Sequence, residues 1–137
     1  MITASGYVKE CISNIMAHTP IKAEMQDSMD QVAGLLHTHR LSSVPVVDPL
    51  TQECFGIISL KDIHQLNAQK TNLKTIRAWE ACTYRPIVVP PDTPIEDGAH
   101  LMVENRIHHV IITEDRKLKG FVSSLDIIAA MLGGSLH

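Results

Sequence analysis

Two stretches, Gly56-Ile57-Ile58-Ser59-Leu60-Lys61-Asp62-Ile63 and Gly120-Phe121-Val122-Ser123-Ser124-Leu125-Asp126-Ile127, decide how the rest of this chain is read. Each is a short apolar run that stops at a serine, with an aspartate three positions on and a helix-forming run behind it. That is the pattern of a strand handing over to a helix. The second stretch follows the first at an offset of 64 residues. Further toward the N terminus the correspondence continues at an offset of 66, with two extra residues in the first half past Asp48. There Thr19-Pro20-Ile21-Lys22-Ala23 falls on Arg85-Pro86-Ile87-Val88-Val89, Met29 on Ile95, Leu35 on Leu101, Arg40 on Arg106 and Val46 on Ile112. The chain is an internal duplication whose period is too long for a solenoid.

Each half carries the same string of elements. The segments at Thr19 and Arg85 are brief extended pieces beside proline. Met29, Val32, Ala33 and Leu36 recur at i, i+3, i+4, i+7, as do Ile95, Gly98, Ala99 and Met102, which predicts an amphipathic helix in each half. Asp27 and Thr93 are expected to cap these helices, with Pro94 at the first helical position. Two apolar strands follow in each half: Val44–Val47 with Phe55–Ile58, and Val110–Ile112 with Phe121–Val122. A shorter helix closes each half, Leu60–Leu66 and Ser124–Leu132. Further helical stretches are expected before the halves, at Tyr7–Met16 and Thr75–Cys82. The fold class is α/β (α+β), two βαββα repeats spanning 1–70 and 71–137. Half a chain of this kind is marginal alone, so the repeats are expected to pack through their small sheets about a pseudo-twofold axis.

Composition narrows the function classes. Among 137 residues, 39 are Leu, Ile, Val or Phe, above the roughly one in five that marks disorder. Twelve basic against fifteen acidic residues give a net charge of −3, so no bulk positive field exists to hold a nucleic-acid backbone. The longest apolar runs fall far short of the roughly 18 residues needed to span a bilayer, and no secretory signal is visible. Three widely spaced cysteines, Cys11, Cys54 and Cys82, form neither a CxxC motif nor a disulfide framework. The expectation is a cytoplasmic protein whose thiols pack as small apolar groups, with no nucleic-acid or membrane partner.

The Ser-x-x-Asp turn has two readings. In one it is a capping box and nothing more. In the other the same geometry serves a ligand. The first amides of a helix carry unpaired N–H groups at the positive end of its dipole, where a phosphate can rest beside the serine hydroxyl. An ionised aspartate one turn in accepts hydrogen bonds from ribose hydroxyls, and glycine upstream leaves room for a ligand or a strand. The motif occurs twice, at corresponding positions.

At this point the residues carry a resemblance. Met16 with Thr19-Pro20-Ile21, Leu41-Ser42-Ser43-Val44-Pro45-Val46-Val47-Asp48 and Gly56–Asp62 resemble one cystathionine-β-synthase (CBS) domain. Ala78-Trp79-Glu80-Ala81-Cys82, Arg85-Pro86-Ile87, Pro90-Pro91-Asp92-Thr93-Pro94 and Gly120–Asp126 resemble a second. Such a pair is a Bateman module. The resemblance implies a non-catalytic regulatory module that binds adenosine ligands (AMP, ADP, ATP or S-adenosylmethionine) in clefts between the repeats. Carried over, it groups Thr19, Pro20, Ile21, Ala23, Ser123, Asp126 and His108 in one cleft. Arg85, Pro86, Ile87, Val89, Ser59, Lys61, Asp62 and His109 fall in the other. It also implies a homodimer and an effector protein, with no obligatory cofactor.

Departures from the pattern make the clefts unequal: His108-His109 stand where the first half has Ser42-Ser43, and Ile111 where it has Pro45. Adjacent strand residues face opposite sides, so one histidine can face a cleft while the other faces away. His37 and His39 at i, i+2 on a helix make a poor chelate, and no metal site is expected. No nucleophile-base set is evident. The alternative function is a constitutive homodimeric scaffold in which the Ser-x-x-Asp segments are only caps.

Overall fold

A computed structural model describes residues 10–133. Packing divides the chain into two compact units, Ile21–Pro86 on one side and Met1–Pro20 with Ile87–His137 on the other. The halfway boundary near residue 70 follows the sequence repeat, whereas these units follow packing: the segment leading into each repeat packs with the other repeat's elements. Among the described residues no helix is long and apolar enough to cross a membrane.

In the Ile21–Pro86 unit, β1 (Ala23–Glu24) pairs parallel with β2 (Ser43–Val47), and the parallel pairing is bridged by the helix α1 (Met29–His39). β2 runs antiparallel to β3 (Cys54–Ser59), and β3 leads directly into α2 (Leu60–Ala68). α1 puts Met29, Val32 and Leu36 into a core shared with Val44, Val46, Ile58 and Ile63. Every residue of β2 is buried, as in strands covered on both faces. The expected second helix at Thr75–Cys82 is shorter: a 3-10 turn at Leu73–Thr75, then one turn of α3 (Ala78–Ala81). Here the backbone finds partners elsewhere, Ala78 N–H donating to the Asp27 carbonyl at 2.7 Å and Trp79 N–H to that of Met25 at 3.1 Å. The chain then adds β4 (Thr83–Tyr84), a strand the sequence did not announce, antiparallel to β3.

The other unit repeats the order. β5 (Val88–Val89) lies parallel to β6 (His109–Glu114), with α4 (Ile95–Asn105) as the crossover. β7 (Lys117–Ser123) pairs antiparallel with β6 and runs into α5 (Ser124–Met131). Ile12 and Met16 plug the core beside Ile95, Val110, Ile112, Val122 and Ile127. Their i, i+4 spacing looked helical, yet only Ile12–Asn14 form a 3-10 turn, and residues 7–9 lie outside the described residues. The backbone pairs sideways, Ile12 N–H donating to the Thr93 carbonyl at 2.7 Å and Ala17 N–H to that of Phe121 at 3.1 Å.

The caps sit one residue later than expected. Ser28, not Asp27, caps α1, in a reciprocal pair with Gln31, while the Asp27 carboxylate accepts from Glu24 N–H at 2.9 Å. Thr93 donates its hydroxyl to the Pro90 carbonyl, and Pro94 stands at the cap position, so the first helical residue is Ile95. Both long helices end on an arginine in the left-handed region, Arg40 at φ 54° and Arg106 at φ 53°. The next amides, of Leu41 and Ile107, reach back to Leu36 and Met102, which closes each helix in a Schellman turn.

Gly56 and Gly120 admit a strand rather than a ligand. A Cβ on Gly56 would lie 2.6 Å from the Thr83 carbonyl oxygen and 2.7 Å from Cys82 Sγ, and one on Gly120 would run into Sδ and Cγ of Met16. Gly34, in the middle of α1, has open space. Gly56→Ala is therefore expected to lower the unfolding free energy by about 1–3 kcal/mol through overpacking. Gly34→Ala is expected to raise it by roughly 0.5–1 kcal/mol. Urea denaturation of the two variants checks the opposite signs; shifts of the same sign contradict this packing account.

Candidate functional site

Each unit builds the same strand-to-helix turn. At the end of β3, Ser59 has extended backbone angles, and its side-chain oxygen accepts from Asp62 N–H at 3.4 Å. In return Asp62 Oδ2 accepts from the Ser59 amide at 2.7 Å and from the Ser59 hydroxyl at 3.1 Å. At the end of β7 the corresponding distances between Ser123 and Asp126 are 3.2, 2.8 and 3.0 Å. The neighbouring strand supplies one more partner. Leu60 N–H donates to the Ser42 carbonyl at 2.9 Å, and Ser124 N–H to that of His108 at 2.8 Å. These bonds use the cap, first and third helical amides.

The turn is thus a complete capping box and also an oriented polar surface. Its aspartates differ in setting: Asp62 is partly exposed, whereas Asp126 is buried at 8 % exposure. Lys61 is exposed beside the first turn.

The other residues named from the sequence are placed as follows. Ala23 and Val89 spend their side chains in the cores of their own units, which leaves their backbones as the polar part. Ile21 packs against the core, Pro20, Pro86 and Ile87 are half-buried, and Thr19 and Arg85 are exposed. Within the Ile21–Pro86 unit, Thr83 lies opposite Ile57 and Tyr84 opposite Gly56, so Arg85 continues away from the Ser59 turn. Arg85 is in the left-handed region at φ 53°.

The two histidines separate as strand alternation requires. His109 lies directly opposite Ser123 across the β6–β7 ladder and stacks on Phe121 with ring centroids 5.6 Å apart. Burial, reinforced by the neighbouring His108, holds the His109 pKa below its ordinary value. Its ring is therefore harder to protonate than an ordinary imidazole. His108 is exposed, and its carbonyl anchors the turn. Ser42 and Ser43 hold the equivalent places in the other unit. Their anchoring role went unread, because a backbone acceptor leaves no side-chain signature. Cys54 carries no activated thiol: burial pushes its pKa up to about 11.

A duplicated βαββα unit with a serine–aspartate turn at each strand-to-helix junction defines a class of paired domains, and comparison with known proteins names it. The CBS domain family matches residues 12–67 and again 78–133. The chain belongs to that family and carries the domain twice. Among curated relatives it is 31 % identical over 110 residues to UPF0053 protein MG146 of Mycoplasma genitalium, a match covering 80 % of this chain and 25 % of the relative. The chain thus spans only about a quarter of that relative's length. Among solved structures it is similar to the CBS domain pair of protein MJ0100 in complex with 5′-methylthioadenosine and S-adenosyl-L-methionine. That match has 28 % identity and a TM-score of 0.79, covering 90 % of this chain and 96 % of the other. CBSX2 in complex with AMP matches at 24 % identity and a TM-score of 0.80, covering 90 % and 97 %.

The half-buried imidazole gives a signed prediction. The folded His109 resists protonation, whereas in the unfolded chain it takes up a proton near the ordinary value of about 6.5. Its contribution to stability is complete above that value and is lost as pH falls toward the folded pKa. The urea midpoint should fall on acidification from neutral pH, and less steeply in His109→Phe, which keeps the ring stack. An equal slope in the variant contradicts the assignment.

Proposed function

We propose that this chain is a regulatory module that binds an adenosine-containing ligand (AMP, ADP, ATP or S-adenosylmethionine) at the turns Ser59–Asp62 and Ser123–Asp126. It performs no catalysis of its own. It self-associates and passes ligand state to an effector protein through differential affinity for two arrangements. The observation that carries this reading is the recurrence of one turn, with the same bonds, in both units. A carboxylate at the start of each helix accepts hydrogen bonds of the kind ribose hydroxyls donate, and an anion is favoured at the first amides of the helix. The solved complexes of similar CBS proteins with S-adenosyl-L-methionine, 5′-methylthioadenosine and AMP support the ligand class.

The scaffold reading has an observation of its own: each serine–aspartate pair is already accounted for as a capping box. Calorimetric titration separates the two. The module reading expects saturable heat with at least one of the four ligands. It also expects a roughly 10–100-fold loss at the altered turn in Asp62→Asn or Asp126→Asn, since bonds to a charged acceptor are worth about 1.5–3 kcal/mol. Urea denaturation shows whether the variants remain folded. No heat from any ligand with folded wild-type protein gives the case to the scaffold.

A further inference from the structure

The two turns are alike in their bonds and different in the chemistry beside them. The first, Ser59-Leu60-Lys61-Asp62, carries one ammonium for one carboxylate. The second, Ser123-Ser124-Leu125-Asp126, carries a carboxylate and no basic side chain. Lys61 and Leu125 hold the same place, the second position of their helices, and both are exposed. The cap closes equally well beside lysine and beside leucine, so the fold requires neither.

The adjoining strands diverge as well. Directly opposite Ser59 across the β2–β3 ladder stands Ser43, and opposite Ser123 across the β6–β7 ladder stands His109. Opposed residues, and residues two apart on one strand, put their side chains on one face of a sheet. In the second unit that face carries Ser123, His109 and Phe121, and the two rings stack within 12° of parallel. The matching positions of the first unit are Ser59, Ser43 and Ile57. The first turn is flanked by hydroxyl and aliphatic groups with a cation at hand. The second is flanked by aromatic rings, one of them an imidazole that burial makes harder to protonate.

Charge decides what each turn can hold. A phosphate on the 5′ position of adenosine brings negative charge to the helix start, where the dipole favours it. In the first turn the Lys61 ammonium offsets the carboxylate of Asp62. The second turn has no ammonium of its own, and a phosphate there meets the like charge of Asp126. A 5′-sulfonium has the opposite needs. It is drawn to a turn of net negative charge, and a cation or a sulfur atom packs favourably against aromatic rings.

We infer that the two turns sort adenosine ligands by their 5′ group, the Ser59–Asp62 turn taking 5′-phosphates and the Ser123–Asp126 turn taking 5′-sulfonium compounds. This rests on the ligand reading proposed above and adds which class each turn takes.

Calorimetric titration with ATP and with S-adenosylmethionine tests it, urea denaturation showing that each variant is folded. Asp126→Asn is expected to bind ATP as wild type does and to lose S-adenosylmethionine, and Asp62→Asn to do the reverse. Exchanging the flanking side chains tests the cause. Lys61→Leu should weaken ATP about 2–5-fold, the effect of one exposed charge, and leave S-adenosylmethionine unmoved. Leu125→Lys, placed in the Asp62→Asn background, should strengthen ATP and weaken S-adenosylmethionine. No heat from either compound with folded wild-type protein overturns the ligand reading itself. Both compounds following the same aspartate, or an ATP affinity indifferent to both exchanges, overturns the sorting and leaves the ligand reading standing.

Discussion

The reciprocal hydrogen bonds between serine and aspartate at each strand-to-helix turn are the constraint on which the rest depends. They end β3 and β7 and start α2 and α5 within one residue, which fixes the direction in which each helix leaves its sheet. A cap of this kind contributes about 1 kcal/mol. Its larger consequence is positional. A carboxylate as buried as Asp126 would be costly without the amide and hydroxyl it accepts from. Once formed, the same bonds hold the carboxylate and the first amides of the helix at a defined place. The structural cap and the proposed ligand-binding surface share these atoms.

The glycine three residues before each serine completes the device. Gly56 and Gly120 let a segment from outside the βαββα string press onto the strand, Cys82 and Thr83 in one unit and Met16 in the other. Because those segments precede the repeats in sequence, each unit takes its last piece from the chain leading into the other repeat.

The βαββα order, the two long helices and the serine–aspartate turns were all legible, because each rests on a local pattern: 3.6-residue periodicity, an apolar run, a cap spacing. What the sequence hid was set by partners distant along the chain. Ile12 and Met16 have helical spacing, but their segment spends its amides on Thr93 and Phe121. The two-residue strand β4 is too short to show any period. The caps fell one residue late because Ser28 could recruit Gln31, while Asp27 was already engaged with Glu24. At the candidate site, the residue types were readable and their commitments were not. Nothing local shows that Oδ2 of each aspartate is held by the cap, that Ala23 and Val89 turn into the core, or that His109 stacks on Phe121 and resists protonation. The repeats diverge most at the helix surface and at His108-His109, so duplication preserved the frame and let each copy take a different exposed chemistry.

The most direct test of the double use of the turn is the backbone amide spectrum of ¹⁵N-labelled protein during titration with the tightest-binding of AMP, ATP and S-adenosylmethionine. The account predicts that the amides of Ser59–Asp62, Ser123–Asp126 or both shift to saturation, Lys61 and Leu125 foremost, while that of Gly34 in α1 stays in place. Saturation that leaves both turns unmoved, or a spectrum indifferent to all three compounds, would contradict it.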